Sequence, residues 1–174
     1  IGMAISAFRG DELETLGVRD TRDLVHIVPG LTMATSSGGT PIYTMRGVGF
    51  NTPNMSSTSP VGVYIDEVSY PYPVMSKGLN FDFDRVEILK GPQGTLYGRN
   101  TTGGLINYIT NKPSDEYEGS LKVEYGEFDS WGLEGFINGG ITDNMSGRIA
   151  FKTQGSEEGW QKSVSRDAEL GEVD

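Results

Sequence analysis

Residues 90–113 read KGPQGTLYGRNTTGGLINYITNKP, and glycines at 91, 94, 98, 103 and 104 give the stretch the look of a phosphate cradle. The spacing rejects that chemistry. A P-loop needs G-x-x-x-x-G-K-[ST], because backbone amides wrap the phosphates while a lysine reaches the outer oxygens. Here Arg99-Asn100 stands where the lysine and hydroxyl residue are required. A dinucleotide fingerprint needs G-x-G-x-x-G opening a helix, whereas Gly103-Gly104 leads into β-branched LINYIT, which reads as a strand. Glycine's other uses remain: backbone at positive φ, or backbone pressed where no Cβ fits. On that reading Gly91, Gly94, Gly98, Gly103 and Gly104 are structural, with Leu96 and Tyr97 the only large apolar side chains between Gly91 and Gly104 available to pack.

Other chemistry has less support. Asp66, Glu67, Asp82 and Asp84 offer paired carboxylates, but they stand beside expected strand ends with no histidine or nucleophile arranged near them, so a solvated or salt-bridged role is expected. The chain has no cysteine and a single histidine, His26, which excludes Cys/His zinc sites, thiol nucleophiles and disulfides. No catalytic residue, metal site or cofactor is expected. The net charge of −10 is uneven: residues 1–113 carry 9 Lys/Arg against 10 Asp/Glu, and residues 114–174 carry 5 against 14. A nucleic-acid partner needs clustered cations, and no basic stripe exists. The acidic run Glu157, Glu158, Asp167, Glu169, Glu172 and Asp174 reads as a solvated face.

The elements that would position these residues fall into two grammars. Residues 1–113 predict a small α+β unit. Met3–Phe8 alternates as a short strand, and Asp11 with Glu14 is spaced as a capping box for a helix that Gly17 stops. Thr21 predicts the cap of a second helix, with Leu24, Val25 and Val28 on one face before Pro29-Gly30. Residues 31–60 read as loop, interrupted only by PIYTMRGVG, a strand in which Ile42, Thr44 and Arg46 alternate with Tyr43 and Met45 and which ends at Gly47 and Gly49. VGVYIDEVS, FDRVEILKG and LINYIT follow as strands, and the proline-broken loop SYPYPVMSKG separates the first two.

After Pro113 the segments lengthen and the turns shorten. GSLKVEYGEF sets Leu121, Val123 and Tyr125 against Lys122 and Glu124. SWGLEGFING sets Trp131, Leu133 and Ile137 against Glu134 and Asn138. MSGRIAFKTQ sets Ile149 and Phe151 against Arg148, Lys152 and Gln154. Strands of about 10 residues, apolar on one face and polar on the other, carry the signature of outer-membrane barrels. An antiparallel sheet with one wet face produces the same alternation.

The order TRDLVHIVPGL, IYTMRGVG, PVGVYIDEVSY and FDRVEILKGPQGTLYGRNTTGGLINYITNKP resembles the plug domain of TonB-dependent outer-membrane receptors, over nearly all of residues 1–113. The resemblance implies an α+β plug, a small mixed sheet with short helices, followed at 114–174 by the first strands of an antiparallel transmembrane β-barrel. It implies the outer membrane of a Gram-negative bacterium as location and import of a scarce nutrient such as a ferric siderophore. The implied partners are TonB with ExbB and ExbD, a small-molecule ligand such as a metal chelate, and outer-membrane lipid. The chain then reads as a fragment lacking the TonB box, the signal peptide and most of the barrel.

Residue by residue, the resemblance makes Arg46 and Lys90 plug cations that pair with barrel-wall acids, with Arg99 a further candidate. Lysine at 90, where the family more often has arginine, gives up bidentate pairing for a point charge on a flexible stem. The loops 50–59 and 69–77 correspond to plug apices facing the ligand, which nominates Phe50, Asn51, Asn54, Tyr70 and Tyr72 as contacts. Tyrosine and asparagine suit that role through area combined with a hydrogen-bonding tip. The rival readings are a soluble glycan- or ligand-binding β domain and, against the spacing above, a nucleotide-dependent enzyme.

Overall fold

A computed structural model describes residues 4–18, 21–36, 40–49, 58–76, 81–98, 100–127, 129–156, 161–162 and 169–170. The chain divides into two units, Ile1–Asn111 and Lys112–Asp174.

The first unit is built on a five-stranded mixed sheet. Its strands are β1 (Ala4–Arg9), β4 (Val61–Ile65), β5 (Val68–Ser69), β6 (Phe83–Lys90) and β7 (Gly104–Thr110), in the order β1-β6-β7-β4-β5. β4 and β7 are parallel and the other pairs antiparallel. Both faces of the central strands are covered, so the first five residues of β7, Gly104 to Tyr108, are all buried and show no amphipathic alternation. One face sets Val61, Val63, Val86, Ile88, Ile106 and Tyr108 against Leu13, Leu24, Val28, Leu31, Tyr43 and Met45. The opposite face carries a smaller cluster of Tyr64, Leu89 and Leu105, with Tyr97 against it. Burying each large aliphatic side chain contributes about 1.5–3 kcal/mol, so the two sheet faces supply most of what holds this unit.

The larger cluster is closed by α1 (Gly10–Thr15), a 3₁₀ turn at Thr21–Asp23 running into α2 (Leu24–Ile27), and the antiparallel ribbon of β2 (Leu31–Thr35) with β3 (Pro41–Met45). Three expectations need correction here. Residues 31–35 form a strand, since Leu31 packs in the core and Thr32 to Thr35 pair with Thr44 to Pro41; the polar composition hid an edge ribbon wet on one side. The capping box is absent: Arg9 holds the N-cap without a side-chain hydrogen bond, and Asp11 instead lies 3.2 Å from the Arg9 guanidinium. The second helix likewise begins at Leu24 after Asp23, with no side-chain cap.

The second unit is an antiparallel sheet of β8 (Glu118–Tyr125), β9 (Ser130–Thr142) and β10 (Met145–Ser156), in the order β10-β9-β8, together with the paired segments β11 (Gln161–Lys162) and β12 (Glu169–Leu170). The registers Val123↔Leu133, Ile137↔Ile149 and Tyr125↔Trp131 put the apolar residues of all three strands on one face. Lys122, Glu134 and Lys152 line up across the other, where Lys152 pairs with Glu134 at 3.3 Å and the Arg148 guanidinium stacks 3.9 Å from the Phe136 ring centroid. On the apolar face large side chains lie over glycines of neighbouring strands: Tyr117 over Gly139, Phe151 over Gly135 and Trp131 over Gly155. Glycine there leaves room for a ring to lie flat against the strand, as in aromatic rescue.

Candidate functional site

The glycine-rich stretch folds back over the smaller face of the plug-like sheet. α3 (Gly94–Tyr97), a turn of helix where a plain glycine loop was expected, brings the Tyr97 ring to 5.1 Å from that of Tyr64. The Tyr64 hydroxyl donates to the Tyr97 carbonyl at 2.5 Å, and fully buried Thr101 donates to the Gly98 carbonyl at 2.7 Å. Leu96, expected to pack, points away and is 74% exposed. The amides of Gly91, Gln93, Leu96, Tyr97, Gly98, Thr101 and Gly103 all donate to carbonyls of the chain itself. A phosphate cradle needs such amides free and convergent; these seven close turns instead, which gives the nucleotide reading no support.

The glycines divide by role. Gly104, at φ +142, enters β7 where an added Cβ would lie 2.4 Å from the Leu89 carbonyl oxygen, and Gly103 lies under Val48. Gly47, Gly91 and Gly98 hold positive φ. Gly94 does neither: its φ is not positive and a Cβ would meet open space, so its expected structural requirement is corrected.

Around Gly104 the two proposed cations come from adjacent elements. Lys90 is the residue of β6 opposite Gly104, while Met45, which packs on Gly104, is followed by Arg46. Arg46 and Gly47, at φ +49 and +80, are the central pair of a type I′ turn closed by hydrogen bonds of 3.0 and 2.8 Å between Met45 and Val48. That turn prefers Asn or Gly at its first central position, and a longer L-residue there costs about 1 kcal/mol. Arg46 is exposed and forms no ion pair among the described residues. Lys90 is buried and forms none either. Among the described residues, then, neither cation meets a carboxylate of its own unit.

The carboxylates are committed to architecture. Asp66, at φ +45 in the β4–β5 turn, accepts from the Thr110 amide at 3.0 Å and the Thr110 hydroxyl at 2.7 Å. Asp82 accepts from the Asn111 side-chain amide at 2.9 Å. Asp84 and Glu87 both hold Arg85, whose pKa is raised by hydrogen bonding first to Glu87 and then to Asp84, so its charge is fixed. Glu67 is exposed at φ +69.

Of the apex candidates, Tyr70 packs partly against the larger core and Tyr72 is exposed, with Val74 and Met75 exposed beside it. Phe50, Asn51, Asn54 and Arg99 lie outside the described residues. His26 is exposed on α2. Among the described residues no group of three His, Asp or Glu is placed to hold a metal, and no helix is long and apolar enough to cross a membrane. Sequence reasoning missed the buried polar set Gln93, Thr101 and Asn107, whose signal is weak because each is an ordinary loop or strand residue until burial is known. Asn107 Oδ1 is buried without a hydrogen-bond partner.

Residues 1–105 match the TonB-dependent Receptor Plug Domain family. The chain belongs to that family. Among relatives, the iron-regulated outer membrane virulence protein of Vibrio cholerae is 27% identical over 172 residues, covering 89% of this chain and 25% of the relative. The pesticin receptor of Yersinia enterocolitica is 31% identical over 134 residues, covering 77% of this chain and 20% of the relative. The crystal structure of the ferric yersiniabactin uptake receptor of Yersinia pestis matches 97% of this chain and 27% of its own, with 26% identity and a TM-score of 0.85. The chain spans about a quarter or less of the length of the curated relatives. Its architecture is that of a TonB-dependent receptor: a mixed α+β plug followed by antiparallel strands. By name the Vibrio relative is an outer membrane protein and the two Yersinia proteins are receptors, and this chain carries the plug domain of the TonB-dependent receptor family.

Proposed function

We propose that residues 1–113 are the plug, and residues 114–174 the first wall strands, of an outer-membrane active transporter whose plug gates a TonB-energised barrel and admits a small metal chelate such as a ferric siderophore. TonB, with ExbB and ExbD, is the proposed energy partner. The observation that carries the reading is the apolar face of β8–β10, uncovered within its unit: Leu121, Val123, Ile137 and Ile149 are each about two-thirds exposed or more. In water such a face is an aggregation hazard; against lipid it is at rest. Tyr117 and Tyr125 stand at its two ends, roughly 26 Å apart along an extended strand and about 20 Å apart along the membrane normal at the usual tilt. A soluble binding domain gives no account of that face.

Within this reading Arg46 and Lys90 are breakable latches to wall carboxylates, Arg99 is a further contact, and Phe50, Asn51, Asn54, Tyr70 and Tyr72 face the ligand. The strained backbone at Arg46 supports a role for its side chain, because a turn under selection for stability alone would hold Asn or Gly there. Growth of a deletion strain in iron-depleted medium, with single ferric chelates as iron source, tests the proposal. Loss of growth on at least one chelate, restored by the full-length gene, is the expected result. Unchanged growth on every chelate, with the protein recovered in the soluble fraction, would sink it.

A further inference from the structure

The join between the plug and the strands is tied on both sides. On the plug side, the Asn111 backbone amide donates to the Asp82 carbonyl at 3.1 Å and its side-chain amide donates to Asp82 Oδ1 at 2.9 Å. On the strand side, Asn138 of β9 is only 2% exposed, although it projects from the polar face of its sheet. What covers it is the segment just before β8. The Ser114 amide donates to Asn138 Oδ1 at 3.1 Å, while Asn138 Nδ2 donates to Ser114 Oγ at 2.8 Å and to the Glu116 carbonyl at 2.9 Å. A longer contact of 3.4 Å reaches the Ser114 carbonyl.

A second tie stands one residue on. The Tyr117 hydroxyl donates to the Gly140 carbonyl at 2.8 Å, and its ring occupies the space where a Cβ on Gly139 would come within 2.5 Å. Asparagine uses both ends of its amide here, donor and acceptor, which neither Asp nor Ala can reproduce. Segment 114–117 is therefore fastened across Asn138–Gly140 before the β8 ladder begins, and Lys112-Pro113 is all that lies between the two fastenings.

We propose that Asn138 and Tyr117 are positioning residues that moor the plug's C-terminal tether to the barrel wall. This rests on the reading of residues 114–174 as wall strands. The Asn111-to-Ser114 path is three Cα steps, roughly 11 Å when fully extended. While both fastenings hold, the end of β7 stays within that radius of the wall however far the N-terminal part of the plug is drawn out. Displacement of the plug is thus limited by which fastening opens, and β7, the strand joined to Asn111, is the last of the sheet to leave.

Hydrogen exchange on the full-length receptor in lipid nanodiscs tests the mooring, comparing wild type with Asn138→Ala and Tyr117→Phe. Exchange over residues 112–117 is expected to rise at least about tenfold in N138A and about threefold in Y117F, with residues 118–156 unchanged. Equal exchange in wild type and both variants, or an acceleration spread evenly through 118–156, overturns the proposal, the second because Asn138 would then be holding the sheet itself. If N138A fails to assemble, Y117F alone decides on the same criterion. Pulling the receptor by its plug N-terminus adds a second readout: with the Tyr117 fastening still in place, the last barrier before the wall should shift outward by about 3 residues in N138A, roughly 1.1 nm at ~0.36 nm per residue, and an unmoved barrier contradicts the mooring. Recovery of the receptor in solution without detergent would instead defeat the wall reading, independently of the exchange result.

Discussion

The plug sheet and the β8–β10 sheet use similar residues to opposite ends. In the first, Ile88 and Ile106 are fully buried; in the second, Ile137 is 65% and Ile149 70% exposed. Local strand physics is the same in both, since β-branched residues suit a pleated surface wherever it lies. The difference is cover. The plug sheet has helices and a ribbon on one face and the glycine-rich fold-back on the other, so it completes its own core. The β8–β10 sheet completes only its polar face, with the Glu134–Lys152 pair and the Arg148–Phe136 stack, and leaves its apolar face uncovered within its unit.

Substitutions that separate the two environments should follow this division. Ile88→Ala opens a cavity in a closed core and should destabilise the plug by about 2–5 kcal/mol, measurable by denaturant unfolding of the plug signal in the full-length receptor. Ile149→Arg should cost about 2–4 kcal/mol if its face meets lipid and little if it meets water, so the yield of heat-modifiable, membrane-assembled receptor discriminates directly. Gly139→Ala, which must displace the Tyr117 ring, should cost about 1–3 kcal/mol and slow barrel assembly. The smallest effect has the opposite sign. Glu67→Gly removes a positive-φ residue from a type I′ turn and should stabilise the plug by about 0.5–1 kcal/mol; any destabilisation there would mean that the Glu67 carboxylate has a partner.

The legibility of the sequence follows from the same physics. β8, β9 and β10 were readable with their faces correctly assigned because one side is wet, so alternation survives in the letters. β6 was readable as a strand with Val86 and Ile88 alternating with Glu87 and Leu89, as the two clusters bear out, whereas β7 was readable only as a strand, because both its sides are covered and Leu105 and Asn107 are buried alongside Ile106. β2 was invisible: LTMAT owes its strand to pairing with β3, a partner that local propensity cannot see. The short helix Gly94–Tyr97 was likewise hidden, since two of its four residues are Gly and Thr and its support comes from Tyr64 across the sheet. For the site, motif order pointed to Arg46 and Lys90, but the strain at Arg46 and the burial of Lys90 are properties of the folded backbone. The Asn138 mooring had no signal at all, since asparagine on the polar face of a strand is unremarkable until Ser114 is known to sit on it.

The account turns on what solvent the apolar face of β8–β10 meets. Nitroxide side chains placed singly at residues 120 to 124 of the full-length receptor in lipid bilayers answer that through their accessibility to oxygen and to an aqueous nickel chelate. High oxygen and low chelate accessibility at Leu121 and Val123, with the reverse trend at Ser120, Lys122 and Glu124, is the predicted result. Chelate accessibility at Leu121 and Val123 as high as at Lys122 would place that face in water and contradict the barrel-wall reading.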